Sequence, residues 1–187
     1  NNDVFIKAQE MSQEILSENA LKLLFTEARS FNKWRKTPVS EITINQVFEL
    51  LRMGPTSANC SPARFLFVRS PEGKENLKKG MGKGNLEKTM SAPITVIIAY
   101  DTKFFQHLDR LFPHEDAKAW FTGNDELITE TAFRNSSLQG AYLMLAARSL
   151  GLDCGPISGF DKRVINDLFF PDGQFTVNFI CNLGYGD

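Results

Sequence analysis

Three loops of the sequence are rich in small polar residues, and each one adjoins a predicted helix. They span Arg29–Arg35, Pro55–Arg64 and Gly155–Asp161. Backbone N–H groups at a helix end have no partner within the helix, so such loops can direct them at a ligand. Taken singly, each loop can also be explained as a turn, a connection between helices or a solvated cation. The pattern indicates a binding site only when the three loops are considered together.

Residues suited to hydrolytic or nucleophilic catalysis are scarce. The sequence has no G-x-S-x-G motif, and its only histidines are His107 and His114. Cys60 served by His114 is one possible pair, but no neighbouring charge marks a reactive thiol, and an ordinary small loop residue is the simpler interpretation. The three cysteines are widely spaced and form no C-x-x-C, so neither a disulfide framework nor a metal site is predicted.

The glycine-rich run Gly80–Asn85 has a superficial similarity to a dinucleotide-binding fingerprint. It lacks the last glycine of that motif, and a basic helical segment precedes it where the motif requires a strand. The run is therefore not interpreted as a nucleotide site.

The spacing of apolar residues predicts the elements that hold the loops. The first predicted helix has Ser12 as its N-cap. In the last predicted strand, one face carries the alternating residues Phe175, Val177, Phe179 and Cys181. Strands are few and separated by helices, which predicts an α+β fold with a central mixed β-sheet wrapped by helices. The predicted helices cover 12–28, 43–53, 72–88, 129–150 and 161–169, and the predicted strands cover 65–68, 94–100 and 175–183. The longest helix, 129–150, is apolar on most sides and should be buried.

Length and composition are those of one globular domain covering 1–187, with 42% hydrophobic and 23% charged residues. A net charge of -1 provides no basic field for nucleic acid or for an anionic membrane surface. No apolar run approaches the roughly 20 residues needed to cross a bilayer, and the first residues contain no secretory signal. We expect a cytoplasmic protein. The 16 phenylalanines suggest a large apolar interface or an aromatic-walled pocket.

In this order, the three loops resemble those of the flavin (FMN) nitroreductase family over nearly the whole chain. Within that family the sequence looks like the malonic semialdehyde reductase subgroup associated with pyrimidine degradation. The segments that carry this resemblance are Thr26–Arg29, Asn32–Arg35, Gly54–Arg64 and Phe133–Ser137. The resemblance implies an intertwined homodimer with FMN at its interface, NADPH or NADH as donor, and ping-pong hydride transfer that reduces malonic semialdehyde to 3-hydroxypropionate.

The resemblance also implies which residues bind FMN. Arg29 and Ser30 would hold the phosphate and ribityl chain, and Asn85 and Lys88 match an N-x-x-K pair whose lysine stabilises charge on the reduced flavin. Asn32 stands where many relatives have a basic residue. The remaining contacts are Pro55, Thr56, Ser57 and Asn59, which would reach the flavin of the partner subunit, and Pro156, Ile157, Ser158 and Gly159, which would lie against the isoalloxazine. No side chain is expected to be catalytic, because the backbone of Ser158 and Gly159 would contact N5 and O4 of the flavin.

The segment of about 102–125 falls where the family inserts its substrate cover. The rings of Phe112, Trp120 and Phe121 could exclude water there. An acidic aldehyde also needs a cation for its carboxylate, and Arg64, Arg110 or Arg134 could supply it. The sequence does not choose among the three.

Two alternatives remain open. A flavin with one open face reduces many electrophiles, so the acceptor could be a nitroaromatic compound or a quinone. The chain could also be a flavin-binding or flavin-free dimer without turnover, which the asparagine at 32 favours. Family members continue beyond the segment Gly184–Asp187 into a basic tail that helps to hold the phosphate, so we expect the C-terminal tail to be missing here.

Overall fold

A four-stranded sheet forms the centre of the computed structural model, which describes residues 14–187. Its strands are β1 (Ala63–Val68), β2 (Ile94–Asp101), β3 (Asp153–Ile157) and β4 (Phe175–Gly184), in the order β1-β2-β4-β3. The predicted α+β class with helices around a central sheet is confirmed. The expectation of a mixed sheet is corrected, because all three strand pairs are antiparallel. The chain passes directly from β1 to β2 and from β3 to β4, and neither connection crosses the sheet, because both pairs are antiparallel.

Helices cover both faces of this sheet. Several begin at a side-chain cap: Ser40 accepts a hydrogen bond from the N–H of Thr43, and Asp161 accepts one from the N–H of Val164. The helices are α1 (Glu18–Leu21), which continues as a π-helical turn (Lys22–Thr26), α2 (Glu41–Leu51), α3 (Pro71–Gly80), α4 (Lys83–Ser91), α5 (Leu108–Leu111), α6 (Asp125–Ser149) and α7 (Lys162–Phe169). Short 3-10 turns occur at Ser57–Asn59, Phe104–His107 and Ala117–Trp120.

The first helix is shorter than the predicted range 12–28. The expected cap Ser12 lies outside the described residues. Ser17 is the observed cap: it has the extended ψ of 155° and accepts a hydrogen bond from the N–H of Ala20. The helix therefore begins at Glu18, because the extended backbone of Ser17 prevents its continuation towards the N-terminus.

The predicted helix 72–88 is in fact two helices, α3 and α4, separated at Met81 and Gly82. Met81 is extended, with φ -76° and ψ 133°. The N–H of Gly82 donates to the carbonyl oxygen of Gly159, and the N–H of Asp161 donates to the carbonyl oxygen of Gly80. These backbone groups bond to the loop after β3, so they cannot continue the helical ladder.

Strand β3 corrects the prediction that Gly155–Asp161 is entirely loop. Its residues Asp153–Ile157 pair with β4, and only the turn that follows is irregular. Because β3 is an edge strand, Pro156 can occupy it despite lacking an N–H group.

Two apolar cores lie on opposite faces of the sheet. On one face, α2 and α6 pack against Ile94, Val96 and Ile98. On the other, α3 and α7 pack against Ile97 and Ala99. Every residue of β2 is buried, as predicted for a strand covered on both faces. A third cluster around Phe104, Leu108 and Phe121 lies within the segment that follows β2.

A β-bulge at Asn178 corrects the predicted alternation of β4. Ala99 pairs with Val177 while its neighbour Ile98 pairs with Phe179, so Asn178 is the additional residue. Val177 therefore packs with the α3 and α7 core, whereas Cys181 packs with the α2 and α6 core.

The long helix α6 is only partly buried in a single chain, contrary to the expectation of burial on most sides. Phe133 is 50% exposed, Leu138 48% and Tyr142 38%. Leu138 and Tyr142, four residues apart, lie on one face of α6, whereas Phe133 lies on another side of the helix. Within the described residues, no helix combines the length and apolar character that crossing a bilayer requires.

Candidate functional site

A groove of about 340 Å³ lies between the segment after α1 and the helix α4. Asn32 and Lys33 line one side, and Gly84, Glu87 and Lys88 line the other. The Nζ of Lys88 donates to the Oδ1 of Asn32 at 3.2 Å. The structure thus brings together two of the residues that the sequence singled out, with two cationic side chains and one acidic side chain around the opening.

The same helix contacts the turn after β3. The Nδ2 of Asn85 donates to the carbonyl oxygen of Gly159 at 2.9 Å, and the N–H of Gly82 donates to that oxygen at 3.1 Å. A Cβ at residue 159 would lie 2.5 Å from the Nδ2 of Asn85, so a side chain at this position would displace the amide of Asn85 from its contact. Ser158 and Gly159 are exposed next to this contact, whereas Ile157 is buried.

Backbone pairing with β3 fixes the other wall of the groove. Ser30 forms an isolated parallel bridge with Cys154, and the N–H of Phe31 donates to the carbonyl oxygen of Cys154 at 2.9 Å. Arg29 is exposed, and its Nη1 donates to the carbonyl oxygens of Thr26 and Ala28. With the described residues, only this nitrogen of the guanidinium forms hydrogen bonds, which leaves donors of Arg29 available to an anion.

The loop Pro55–Asn59 is held by the central helix and by the segment after β2. The N–H of Ser57 donates to the Oδ1 of Asn135, and the Nδ2 of Asn59 donates to the carbonyl oxygen of Leu111, both at 2.9 Å. Ala58 and Asn59 have positive φ angles of 48° and 50°. Two successive non-glycine residues in this region indicate a strained backbone, which persists only where surrounding contacts enforce it.

Within one chain the two groups of predicted FMN contacts lie apart. The Pro55–Asn59 loop leads into β1, and the Ser158–Gly159 turn follows β3. β1 and β3 are the opposite edges of the sheet, separated by two strands. At roughly 4.8 Å per strand, the two edges are about 14 Å apart.

Arg64, one of the candidate substrate cations, is engaged in structural contacts. Its Nη2 lies 3.0 Å from the Oδ2 of the buried Asp101, and its Nη1 donates to the carbonyl oxygens of Ser61 and Ala63. Arg134 is exposed and pairs with Glu130 one helical turn away on α6. Arg110 is exposed on α5.

The aromatic residues of the predicted substrate cover occupy different environments. Phe121 is buried, with its ring centroid 5.0 Å from that of Phe104. Trp120 is 47% exposed, with its centroid 6.0 Å from that of Phe112. Phe121 thus belongs to the core of the segment, while Trp120 presents its ring to solvent.

Nucleophilic chemistry at Cys60 is disfavoured. Its side chain is buried, and burial raises the pKa of the thiol to about 11, so the thiolate is scarce at neutral pH. In the described part of the chain, no group of three or more His, Cys, Asp or Glu side chains is arranged to hold a metal ion.

Sequence reasoning missed the polar residues that support the loops from behind. Asn135 holds Ser57, and the Oε1 of Gln139 accepts the N–H of Ala63 at 2.8 Å. Both side chains are buried on α6. The signal was present, since isolated polar residues in an apolar helix need partners when they are buried.

Comparison with known proteins agrees with this architecture. The sequence model of the Nitroreductase family matches residues 26–185. A Bacillus subtilis protein assigned as a nitroreductase has 21% identity and a TM-score of 0.81, with 91% of this chain and 90% of that chain covered. A protein of Exiguobacterium sibiricum, assigned as a nitroreductase and solved in complex with FMN, has 21% identity and a TM-score of 0.81, with 94% of this chain and 91% of that chain covered. An assigned NAD(P)H:FMN oxidoreductase of Staphylococcus epidermidis has 22% identity and a TM-score of 0.80, covering 94% and 91%. At these identities the structural likeness demonstrates the fold.

Proposed function

This chain belongs to the nitroreductase family, and from that premise we propose that it is an FMN-dependent NAD(P)H oxidoreductase that reduces a small semialdehyde. The observation that carries the proposal is the pair of contacts made by α4: Lys88 bonds to Asn32 at the groove, and Asn85, three residues earlier, bonds to the Gly159 turn. The FMN complex of the Exiguobacterium sibiricum protein, which shares the fold, supports the choice of cofactor.

The chemistry of the donor set fits FMN. A flavin mononucleotide presents a phosphate at one end and a hydrogen-bonding ring at the other. Arg29 has guanidinium donors available for the phosphate, and the ammonium of Lys88 can offer charge to the ring. The turn at Ser158 and Gly159 is exposed beside the contact with Asn85, so its backbone is accessible to a flat ring.

FMN, when bound, would supply hydride transfer from NAD(P)H to the carbonyl group of the acceptor. The protein binds, orients and tunes this group. Lys88 would stabilise negative charge on the ring, with Asn32 fixing its ammonium at 3.2 Å. The N–H groups of Ser158 and Gly159 would act as hydrogen-bond donors to the ring.

A homodimer accounts for two features at once. The Pro55–Asn59 loop and the Gly159 turn lie at opposite edges of one chain, so a second chain is needed to place one beside the other. The exposed apolar side chains of α6, Phe133, Leu138 and Tyr142, supply surface that association would bury. We propose that the loop of one chain contacts the flavin bound by its partner.

The proposed acceptor is malonic semialdehyde, on the resemblance of Gly54–Arg64 to the corresponding reductases. Its carboxylate requires a cation. Arg64 is tied to Asp101, so Arg134 and Arg110, both exposed, are the better candidates. The exposed ring of Trp120 would cover the substrate.

The test is an anaerobic absorption experiment on the purified protein with added FMN. We expect NADPH or NADH to bleach the flavin band and malonic semialdehyde to restore it. Lys88→Met should weaken FMN binding and slow the bleaching, whereas Lys79→Met, a lysine of α3 that bonds to Asn76, is the matched control and should behave like the native protein.

Comparison of acceptors then tests the substrate. A kcat/KM for malonic semialdehyde well above those for a nitroaromatic compound and a quinone supports the proposal. A higher kcat/KM for the nitroaromatic compound or the quinone would identify that compound, and not the semialdehyde, as the substrate. FMN binding without bleaching by NADPH or NADH would identify a dimer that lacks turnover.

A further inference from the structure

A buried lysine without an acidic partner lies behind the groove. Lys74 of α3 is 8% exposed, and within the described residues no carboxylate lies within 4 Å of its Nζ. The Nζ instead donates to the carbonyl oxygens of Thr89 at 2.7 Å and Ala92 at 2.8 Å, and to the Oγ1 of Thr95 at 2.8 Å. All three donor positions of the ammonium are therefore used.

Two of these acceptors belong to the C-terminal end of α4, where carbonyl groups have no partner within the helix. A cation at this end also interacts favourably with the helix dipole. Lys74, on the neighbouring helix α3, thus caps the C-terminal end of α4. Helix α4 also carries Asn85 and Lys88.

The contact extends from Lys74 to the backbone of Lys88. The Oγ1 of Thr95 donates to the Oδ1 of Asn182 at 2.7 Å, and the Nδ2 of Asn182 donates to the carbonyl oxygen of Lys88 at 3.4 Å and to the Oγ1 of Thr89 at 3.3 Å. Thr89, Thr95 and Asn182 are fully buried. We call these four residues, Lys74, Thr89, Thr95 and Asn182, the Lys74 network.

From this geometry we propose that Lys74 is a positioning residue that fixes the end of α4 and thereby holds Lys88 in place at the flavin groove. The inference rests on the proposed function, because it assigns a role relative to bound FMN. Capping of α4 alone would affect only the stability of the fold, whereas positioning of Lys88 would also affect the affinity for FMN. Burial disfavours the charged form of Lys74 and lowers its pKa to about 8.

The first test is Lys74→Met, which keeps the length of the side chain and removes its charge and donors. We expect the Kd for FMN, measured by quenching of flavin fluorescence, to rise roughly tenfold, and the midpoint potential of the bound flavin to fall because Lys88 is displaced from the ring. Leu77→Ala is the matched control: Leu77 is fully buried on the same helix but lies outside the Lys74 network. It should lose stability and retain the native Kd and potential.

A double-mutant cycle with Lys88→Met tests whether Lys74 acts through Lys88. If it does, Lys74→Met should change the Kd by less than about twofold in the Lys88→Met background, since coupled residues are not additive. If the Kd of the double variant rose by the product of the two single-variant increases, the proposal would be overturned. It would also be overturned if Lys74→Met and Leu77→Ala had the same Kd for FMN and the same midpoint potential.

Thr95→Val keeps the proposal testable if Lys74→Met does not fold, because it removes the hydroxyl that links Lys74 to Asn182 and keeps the shape of the side chain. We expect it to weaken FMN binding, and a native Kd and potential in this variant would count against the network. Failure of the proposed function has a different signature: the native chain itself would then show no FMN binding for any variant to reduce.

Discussion

The side-chain amide of Asn85 lies 2.9 Å from the carbonyl oxygen of Gly159, so that helix α4 and the turn after β3 are joined at the edge of the groove. Gly159→Ala would place a Cβ 2.5 Å from the Nδ2 of Asn85 and break this contact. We expect the Kd for FMN to rise about tenfold, as loss of one well-placed hydrogen bond with local displacement would cause. Titration of flavin fluorescence measures it.

Asn85→Ala provides the companion variant. It should weaken binding as well, and adding Gly159→Ala to it should have little further effect, because the two changes remove the same contact. Asn76→Ala on α3 is the control, since that amide bonds to Lys79. An unchanged Kd in Gly159→Ala would show that the turn does not contribute to binding.

Two helical glycines should respond to alanine in opposite directions. A Cβ at Gly140 of α6 would lie 2.5 Å from the ring of Phe179, whereas a Cβ at Gly84 of α4 meets no atom within 4 Å. Gly140→Ala should lower the free energy of unfolding by about 1–3 kcal/mol. Gly84→Ala should raise it by about 0.5–1 kcal/mol, because alanine loses less backbone entropy in a helix. Denaturant unfolding at one fixed protein concentration measures both, and destabilisation of equal size would contradict this account.

The stability of the chain should depend on pH through Lys74. Burial lowers its pKa from 10.5 to about 8, so between these values the unfolded chain binds more protons than the folded chain. The free energy of unfolding therefore rises with pH across this window, by at most about 3 kcal/mol, and that gain is lost as the pH falls back through 8. Unfolding of the native protein and of Lys74→Met at pH 7, 8, 9 and 10 measures the difference. Parallel pH curves for the two proteins would contradict it.

Arg64 and Arg134 should differ in what their removal affects. Arg64→Met leaves the buried carboxylate of Asp101 with the N–H of Lys103, the amide of Gln174 and the Nε2 of His107, 3.8 Å away, and should cost about 2 kcal/mol of stability. Arg134→Met breaks an exposed pair with Glu130 and should change stability by less than about 0.5 kcal/mol. If Arg134 binds the substrate carboxylate, its removal raises KM for an acidic aldehyde but not for an uncharged one. Equal changes in both KM values would exclude that role.

The exposed apolar side chains of α6 should determine association. Leu138→Glu places a charge one helical turn from the exposed Tyr142, and we expect sedimentation to show a shift from dimer to monomer at micromolar concentration. Leu168→Glu is matched in type and is 37% exposed, but it lies on α7, across the sheet from α6. It should leave association unchanged, and an unaffected dimer in Leu138→Glu would place the interface elsewhere.

Most helices and the central strand could be predicted because their apolar periodicity is strong. Strand β3 could not, because Gly155 and Pro156 are typical of turns and are tolerated only where the strand lies at the sheet edge. The break between α3 and α4 was missed for a related reason. It depends on the hydrogen bond that Gly82 donates to Gly159 and the one that Gly80 accepts from Asp161, and no local pattern reveals bonds to a segment so far along the chain.

For the candidate site, resemblance identified residues but not their arrangement. Asn32 and Lys88 form a direct contact, which their types and spacing did not indicate. Its charge made Arg64 a candidate to bind the substrate carboxylate. The structure shows that Arg64 instead pairs with the buried Asp101, whose position the sequence does not reveal. The Lys74 network was missed because buried lysines are rare, and a lysine in a basic helix is normally interpreted as a solvated charge.

The bulge at Asn178 divides β4 into two half-strands of opposite parity. Even-numbered and odd-numbered positions exchange faces at that residue, so Val177 and Ile180 reach one core, and Cys181 and Leu183 the other. Deletion of Asn178 would join Val177 to Phe179, which already face opposite cores, and would leave a regular strand whose two halves keep their faces. A regular strand of the present length would instead turn one half over, so the bulge allows β4 one residue more than its partner β2 without exposing either set of core side chains.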